Sequence, residues 1–541
     1  MSATKRLRPS PFLEGEGNQG FPAEWARRKR RWQAHFLRGG LCHLVLGLIF
    51  GAASASGQTW TIREVQEAFT SGQLTCVDLV QGYLDRIEAY DDRGPTLNAI
   101  ITVNPRALEE ATEMDRTRGA DEALGPLHCV PVILKDNYNT SDLPTTGGSL
   151  TFAGLIPPED AFVVRRFREA GALIVAKSNL TEMAMGGTTV SSLGGQTRNP
   201  YDLTRTAGGS SGGTGAAVAA GFGLVGTGSD TGQSTRSPAS ANGLVGIRAT
   251  RGLISRSGVI PVSQTQDEIG PITRTVEDAA RMLDVMVGYD PADPITAFGY
   301  GRAPSSYTAS LHPQALGGAR VGLLLDFLGE ETVHEPVNAL VESAVRRMEA
   351  EGATVVRIRI PALEALTSDL SLSSYEFGPG FERYLAQLGP RAPVASLSEF
   401  LARGEFHSSI RSSLEAAARM ETATDSEEYR LRLVRRDSLR TAVSEAIAQH
   451  QLDAILYPHQ QRLVAPIGEA QLDRNGVLSN ATGFPAVTFL GGFTEPTPEA
   501  PRGVPVGIEF LGPEWSEPML LGLAFAFEQA AQLHRPPPFT P

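Results

Sequence analysis

The chain reads as an α/β protein: one large mixed β-sheet covered by helices on both faces, in a single domain. Three observations predict this. Short apolar runs of strand type alternate with helical patterns from about residue 60 onward, as in a sheet with helices packed against it. "DAFVVRRFREAGALIVAKSNL" supplies one whole unit: a helix, a stop at Gly171, and the strand "ALIVA". There is no internal repeat at solenoid periods, and 41% hydrophobic with 20% charged residues leaves ample apolar surface for a core.

Taken in order, "TIREVQEAFTSGQLTCVDLVQGYLDRIEAYDD" predicts two helices broken at Ser71-Gly72. In the second, Leu79, Val80, Tyr83, Leu84 and Ile87 keep helical apolar spacing. "VPVILKDNYNT" predicts a short apolar strand, Val130 to Leu134, that ends on Lys135. Further on, "GAAVAAG" predicts a small-residue helix and "GLVGTGSD" a strand running into a turn. Thr275 caps a helix that carries Glu277 and Asp278 in its first turn, where acidic side chains complement the helix dipole. Residues 290–460 are more helical and more charged and are read as an elaboration on the core, suited to a lid. Strand signals return in "LDAILYP", "FPAVTFLGG" and "VPVGIEFLG", followed by the helix "EPMLLGLAFAFEQAAQL".

A net charge of −12 argues against nucleic acid as a partner, because phosphate binding needs a basic surface. Residues 1–57 are the exception, with nine Lys or Arg against Glu14, Glu16 and Glu24. There a basic stretch precedes the apolar run "LCHLVLGLIFG" and the small residues Ala53-Ser54-Ala55, the order of a secretory signal. The apolar run falls short of the about 20 residues that span a bilayer. Residues 1–57 are therefore expected to be a targeting segment. Cleavage near Ala55 would make the protein periplasmic or secreted, with no stable membrane span after processing; without cleavage it would be cytoplasmic. Of the three cysteines, Cys42 lies in that segment, and no pair has metal-ligand spacing. Cys76 and Cys129 read as small buried hydrophobes, with a bridge between them left open.

Between Gly208 and Ser234 lie ten glycines and four serines, with Asp230 the only charge and no histidine. A flexible linker would lack the apolar content of Ala216, Ala217, Val218, Phe222, Leu224 and Val225. A phosphate-binding loop would need a lysine where Thr214 follows Gly213, and a dinucleotide fingerprint would need an apolar strand in place of "NPYDLTRTA". Gly208-Gly209-Ser210-Ser211-Gly212 formally fits a G-x-S-x-G elbow, which also requires a downstream acid and histidine, for which His312, His407 and His459 are candidates.

A third reading joins Lys135, Ser210 and Ser234. "GGSSGGTGAAVAAG" followed by "GTGSDTGQSTRSPASANGLVGIRATRGLIS" resembles the signature of the amidase signature family, serine hydrolases of carboxylic amides. "GPLHCVPVILKDN", "GALIVAKSNLTEMAMGGTT", "TRNPYDLTRTAGGSSGG" and "NATGFPAVTF" resemble its other segments, so the likeness covers roughly residues 60–537 and makes 58–541 one amidase-type domain. The resemblance implies a Ser–cis-Ser–Lys relay: Ser234 as nucleophile, Ser210 as the bridging serine after a cis bond from Gly209, and Lys135 as general base. It implies an oxyanion hole of the backbone N–H groups of Thr231, Gly232, Gln233 and Ser234, with Ser211 in support and Asp230 and Arg236 bracing the turn as an ion pair. It implies no metal and no cofactor, a small-molecule amide as substrate, and compatibility with a homodimer; Met183 and Gln233 are its candidate pocket residues.

The chemistry is coherent. A serine hydroxyl is a weak nucleophile until a base takes its proton. A lysine can do so only when burial lowers its pKa. One departure stands out: Gln233 occupies a position that is usually glycine, and a positive φ there would strain it by about 1 kcal/mol or more. Three other classes stay open: a Ser–His–Asp esterase built on Ser210, a glutaminase-like component of an amidotransferase, and a catalytically inactive binding protein.

Overall fold

The computed structural model describes residues 60–117, 124–420 and 422–541; the targeting segment expected at 1–57 lies outside the described residues. The described chain is built on one eleven-stranded sheet. Its strands are β1 (Ile100–Val103), β2 (Pro131–Lys135), β3 (Leu173–Ser178), β8 (Val225–Asp230), β9 (Val245–Arg248), β10 (Glu268–Thr273), β11 (Arg320–Leu324), β12 (Thr354–Ile358), β13 (Ala454–Pro458), β14 (Ala486–Phe493) and β15 (Pro505–Leu511). Two small ribbons, β4–β5 (Val190–Ser191, Gly195–Gln196) and β6–β7 (Arg198–Asn199, Asp202–Thr206), lie outside it. The sheet order is β1-β3-β2-β8-β10-β9-β14-β15-β13-β11-β12. It is mixed: β2 runs parallel to both β3 and β8, β11 runs parallel to β12 and β13, and the strands from β8 to β13 pair antiparallel.

Helices cover both faces, as side-chain alternation along β15 shows. A side chain at Gly507 would run into Ser240 of the helix Arg236–Ala241. The next residue, Ile508, turns to the other face. It pairs there with Phe489 of β14, whose ring lies 5.3 Å from Phe527 of the helix Glu517–Ala531. The expected helices form with their expected stops. Ile62–Thr70 and Cys76–Tyr90 are separated at Ser71-Gly72, and Thr61 and Thr75 cap them by accepting from Glu64 and Asp78 N–H. Phe162–Glu169 ends before Gly171, which has φ +84°.

Two readings gain detail. Residues 290–460 carry strands as well as helices. Helices from Glu335–Ala350 to Glu427–His450 are interleaved with short pieces, but β11, β12 and β13 extend the main sheet. The run "ATVVRIRI" at the end of one charged helical stretch is a strand because β-branched residues suit a pleated, half-buried surface. Cys76 and Cys129 are indeed fully buried, but they are joined by a disulfide, with Cα atoms 5.8 Å apart. The bridge ties the N-terminal end of a helix to the chain entering β2. Among the described residues, no helix is long and apolar enough to cross a membrane.

Protein lacking residues 1–57 contains only these two cysteines. Thiol titration after denaturation is therefore expected to give no free thiol until a reductant is added. Replacing both with alanine should lower the stability of the folded chain by about 2–4 kcal/mol, read from the urea midpoint.

Candidate active site

Three segments meet at the C-terminal ends of β2 and β8. Lys135 is the last residue of β2, fully buried, and its backbone N–H donates to Thr227 Oγ1 on the neighbouring strand at 3.2 Å. Its amine donates to Ser210 Oγ at 2.7 Å, to Ser229 Oγ at 2.8 Å and to the Ser229 carbonyl at 3.3 Å. Asn137 Nδ2 also donates to Ser229 Oγ, at 3.0 Å. Burial pushes the Lys135 pKa down to about 7, against the pull of Asp230 and Asp267. No carboxylate lies within ion-pairing distance of it among the described residues, so hydroxyls and one carbonyl are its partners.

Ser210 follows a cis peptide bond from Gly209. A side chain at Gly209 would come within 2.7 Å of the Gly187 carbonyl carbon and 3.0 Å of Thr181 Oγ1, so only glycine fits there. The Ser210 carbonyl accepts from Thr181 N–H at 2.9 Å. Ser211 then joins the two serine segments: its N–H and its hydroxyl donate to the Ser234 carbonyl at 3.2 and 2.5 Å. Ser234 itself is 8% exposed and lies in the turn between β8 and the helix Arg236–Ala241.

The turn Asp230–Ser234 is held through its carbonyls. The Asp230 carbonyl accepts from Arg248 Nη1. That of Thr231 accepts from Gln266 Nε2 at 3.3 Å. That of Gly232 accepts from Arg236 Nη2 at 2.7 Å and Asn480 Nδ2 at 3.1 Å, and that of Gln233 from Ser237 N–H at 2.7 Å. In a trans peptide the N–H points opposite to the C=O. Fixing these four carbonyls therefore aims the N–H groups of Thr231, Gly232, Gln233 and Ser234 away from their anchors. Among the described residues these four N–H groups have no acceptor.

Behind the turn lies a buried ion network. Arg236 bridges Asp230 at 3.1 Å and Glu509 at 2.7 Å, and Arg248 reaches Asp230 at 3.1 Å. Burial alone would raise the Asp230 and Glu509 pKa values. The facing guanidiniums reverse this, holding Asp230 well below the usual carboxylate range and Glu509 down at about 2. Glu509 also accepts from Tyr457 Oη at 2.7 Å and Thr488 Oγ1 at 2.8 Å, and shares a 2.7 Å hydrogen bond with His459 Nδ1.

The structure thus brings Lys135, Ser210, Ser211 and Ser234 together and places Asp230 and Arg236 as the brace. Gln233 has no positive φ, so it carries none of the strain of a left-handed backbone. Its side chain is 5% exposed and packs on Gly476 rather than standing free in a pocket. With its amide oriented by its partners, the carbonyl oxygen accepts from Arg474 Nη1 at 3.0 Å and Nε at 3.1 Å. Met183 does not line the opening. It is fully buried in an apolar cluster with Phe152, Ile260 and Phe381, because a long unbranched thioether fills such a gap well. Among the described residues no histidine hydrogen-bonds the Ser210 hydroxyl, which accepts from Lys135 instead: His459 Nδ1 faces Glu509, His407 Nδ1 faces Ser409 Oγ at 2.8 Å, and His312 makes no hydrogen bond to Ser210. Sequence reasoning missed Ser229, Arg248, Gln266, Glu509 and Arg474. Ser229 had the clearest signal, one residue before Asp230 in the serine-rich run.

Known proteins resemble this chain in sequence and in fold. Residues 78–521 match the Amidase family. The structure is similar to a native peptide amidase from Stenotrophomonas maltophilia, at 37% identity and a TM-score of 0.80, over 90% of this chain and 99% of that one. The sequence is 33% identical to a glutamyl-tRNA(Gln) amidotransferase component from Deinococcus deserti, over 88% of this chain and 98% of that protein. It is 34% identical to a probable amidase of Arabidopsis thaliana, over 90% and 93%. The chain belongs to the amidase family and is an amide-hydrolysing serine enzyme.

Asp230→Asn would leave two buried guanidiniums short of a charge and should cost about 3–5 kcal/mol of stability, measured by urea unfolding. The pH dependence has a defined sign. Both carboxylates are held below their unfolded values. Their stabilising effect is complete above about pH 4.5 and is lost as pH falls through their folded values, for Glu509 at about 2. Thermal scans should show Tm falling with acid in that window.

Proposed function

We propose that the chain hydrolyses a carboxylic amide through an acyl-enzyme on Ser234, with Ser210 and Lys135 as the proton relay. The observation that carries this reading is the 2.7 Å contact between a buried amine of pKa about 7 and the Ser210 hydroxyl. A neutral Lys135 takes the Ser210 proton as Ser210 takes that of Ser234, whose oxygen attacks the amide carbonyl. The oxygen that becomes negative meets the N–H groups of the 231–234 turn, and one such donor is worth about 3–4 kcal/mol of barrier. The relay then runs backwards, protonating the departing nitrogen. A water molecule, giving its proton to the same relay, cleaves the ester and restores Ser234.

The esterase alternative loses support because the Ser210 hydroxyl is bonded to Lys135 and, among the described residues, to no histidine. The alternative of an amidotransferase component draws on the Deinococcus relative, and turnover of simple amides by the isolated chain would count against it. We further propose that the protein is exported. The order of charges and apolar residues before Ser56 supports this, as does the Cys76–Cys129 disulfide, a bond that persists in oxidising compartments. Residues 290–460 are proposed as an elaboration suited to a lid; within them Leu372 N–H donates to Gln266, which in turn holds the Thr231 carbonyl.

Lys135→Ala and Ser234→Ala should each lower kcat/KM on any accepted amide by at least ~10³-fold, and a fluorophosphonate should label Ser234 in the parent but not in the Ser234 variant. Because the base works as the free amine, kcat/KM should rise with pH through about 7 and then level off. Undiminished turnover by the Lys135 variant would refute the relay. N-terminal sequencing of protein from the periplasm or medium should begin near Ser56; an intact N-terminus found only in the cytosol would refute export.

A further inference from the structure

Arg474 stands at the open side of this site with no acid to answer it among the described residues. It touches both serine segments. Its Nη1 lies 2.8 Å from where a side chain on Gly187 would begin, and Gly187 packs against Gly209, the residue before Ser210. Its Nε and Nη1 hold the amide oxygen of Gln233, the residue before Ser234. Thr231, Gly232 and the segment Met185–Thr188 around it are half-buried or exposed, so this side of the turn faces an opening.

The charge balance is the unusual part. The adjacent Asp473 is occupied elsewhere, accepting from Arg462 Nε at 2.6 Å and facing His334 Nε2 at 3.1 Å. Among the described residues no carboxylate pairs with Arg474, and its Nη2 has no partner. Neighbouring protein lowers its pKa by desolvation, while the residue itself is exposed, so the free edge of the guanidinium is accessible to a ligand. A guanidinium with one edge bracketed by an amide presents its other edge as a planar fork, the geometry that grips a carboxylate with two hydrogen bonds.

We infer that Arg474, positioned by Gln233, recognises a carboxylate on the substrate, so that the preferred substrates are amides carrying a carboxylate near the scissile bond. This rests on Ser234 being the nucleophile. It also gives Gln233 a role that glycine could not fill, because only a side-chain amide can fix the orientation of the guanidinium.

The test compares kcat/KM for pairs of amides of matched size that differ only in bearing a carboxylate or a carboxamide, such as succinamic acid and succinamide or an N-acyl amino acid and its amide. The parent should favour the carboxylate member of at least one pair by about 10- to 100-fold. Arg474→Gln should remove that preference mainly through KM, Arg474→Lys should keep part of it, and Gln233→Gly should weaken it. Added salt should shrink it in the parent. No preference for the carboxylate in any pair, or an Arg474→Gln variant that slows both members of the favoured pair equally while fluorophosphonate still labels Ser234, would overturn the inference. Loss of labelling in the parent would instead strike at the Ser234 reading.

Discussion

The site depends on a set of carbonyls being held from behind. Two fully buried arginines, an asparagine, a glutamine and one helix N–H fix the four carbonyl oxygens from Asp230 to Gln233. Peptide planarity aims the four following N–H groups away from those anchors. Neither arginine could sit in the core alone. Asp230 and Glu509 balance them, and the aromatic and aliphatic hydroxyls on Glu509 saturate the remaining lone pairs. Buried charge here is a means of orienting neutral backbone groups, and its desolvation cost is partly offset by the paired network, in which Arg248 Nε and His459 Nε2 are left without partners among the described residues.

The same sheet carries two buried lysines that differ in their partners. Lys177 on β3 is as deeply buried as Lys135 and lies on the adjacent strand, paired in register with Leu134. It has a carboxylate, Asp136, at 3.3 Å, and donates to the carbonyls of Tyr138 and Pro144 and the hydroxyl of Thr145 at 2.8 to 3.0 Å. Burial lowers both amines, but only Lys177 has an anion in contact to oppose it. Lys135 is given two hydroxyls and one carbonyl instead. The difference between the two is one acidic neighbour, not depth.

Much of this was legible in the sequence, and the reasons differ by feature. Strand–helix alternation foretold the layered sheet because apolar periodicity is a local property, and the pieces around Lys135, Ser210 and Ser234 are contiguous enough to be recognised. What escaped was non-local. Glu509 is 273 residues from Arg236, and Arg474 is more than two hundred from Gln233, so no spacing rule connects them. Met183 sits beside recognisable residues yet faces the core, since a loop with φ +50° at that position turns the side chain inward in a way that periodicity does not encode. The strands of residues 320–358 were obscured by the charged helix between them.

The placement of the site within so wide a sheet has a consequence for how such a protein can change. Lys135, Ser210 and Ser234 come from β2 and the segments beside β8, and Arg248, Glu509 and Asn480, which support the turn, come from β9, β15 and the segment 476–480. Strands β11 and β12, at the far edge, bring no side chain to this region among the described residues. Packing alone constrains that edge. Insertions, altered surfaces or new docking contacts could accumulate there over evolutionary time while the reaction centre stays as it is, so architecture divides the molecule into a part that must be kept and a part free to diversify.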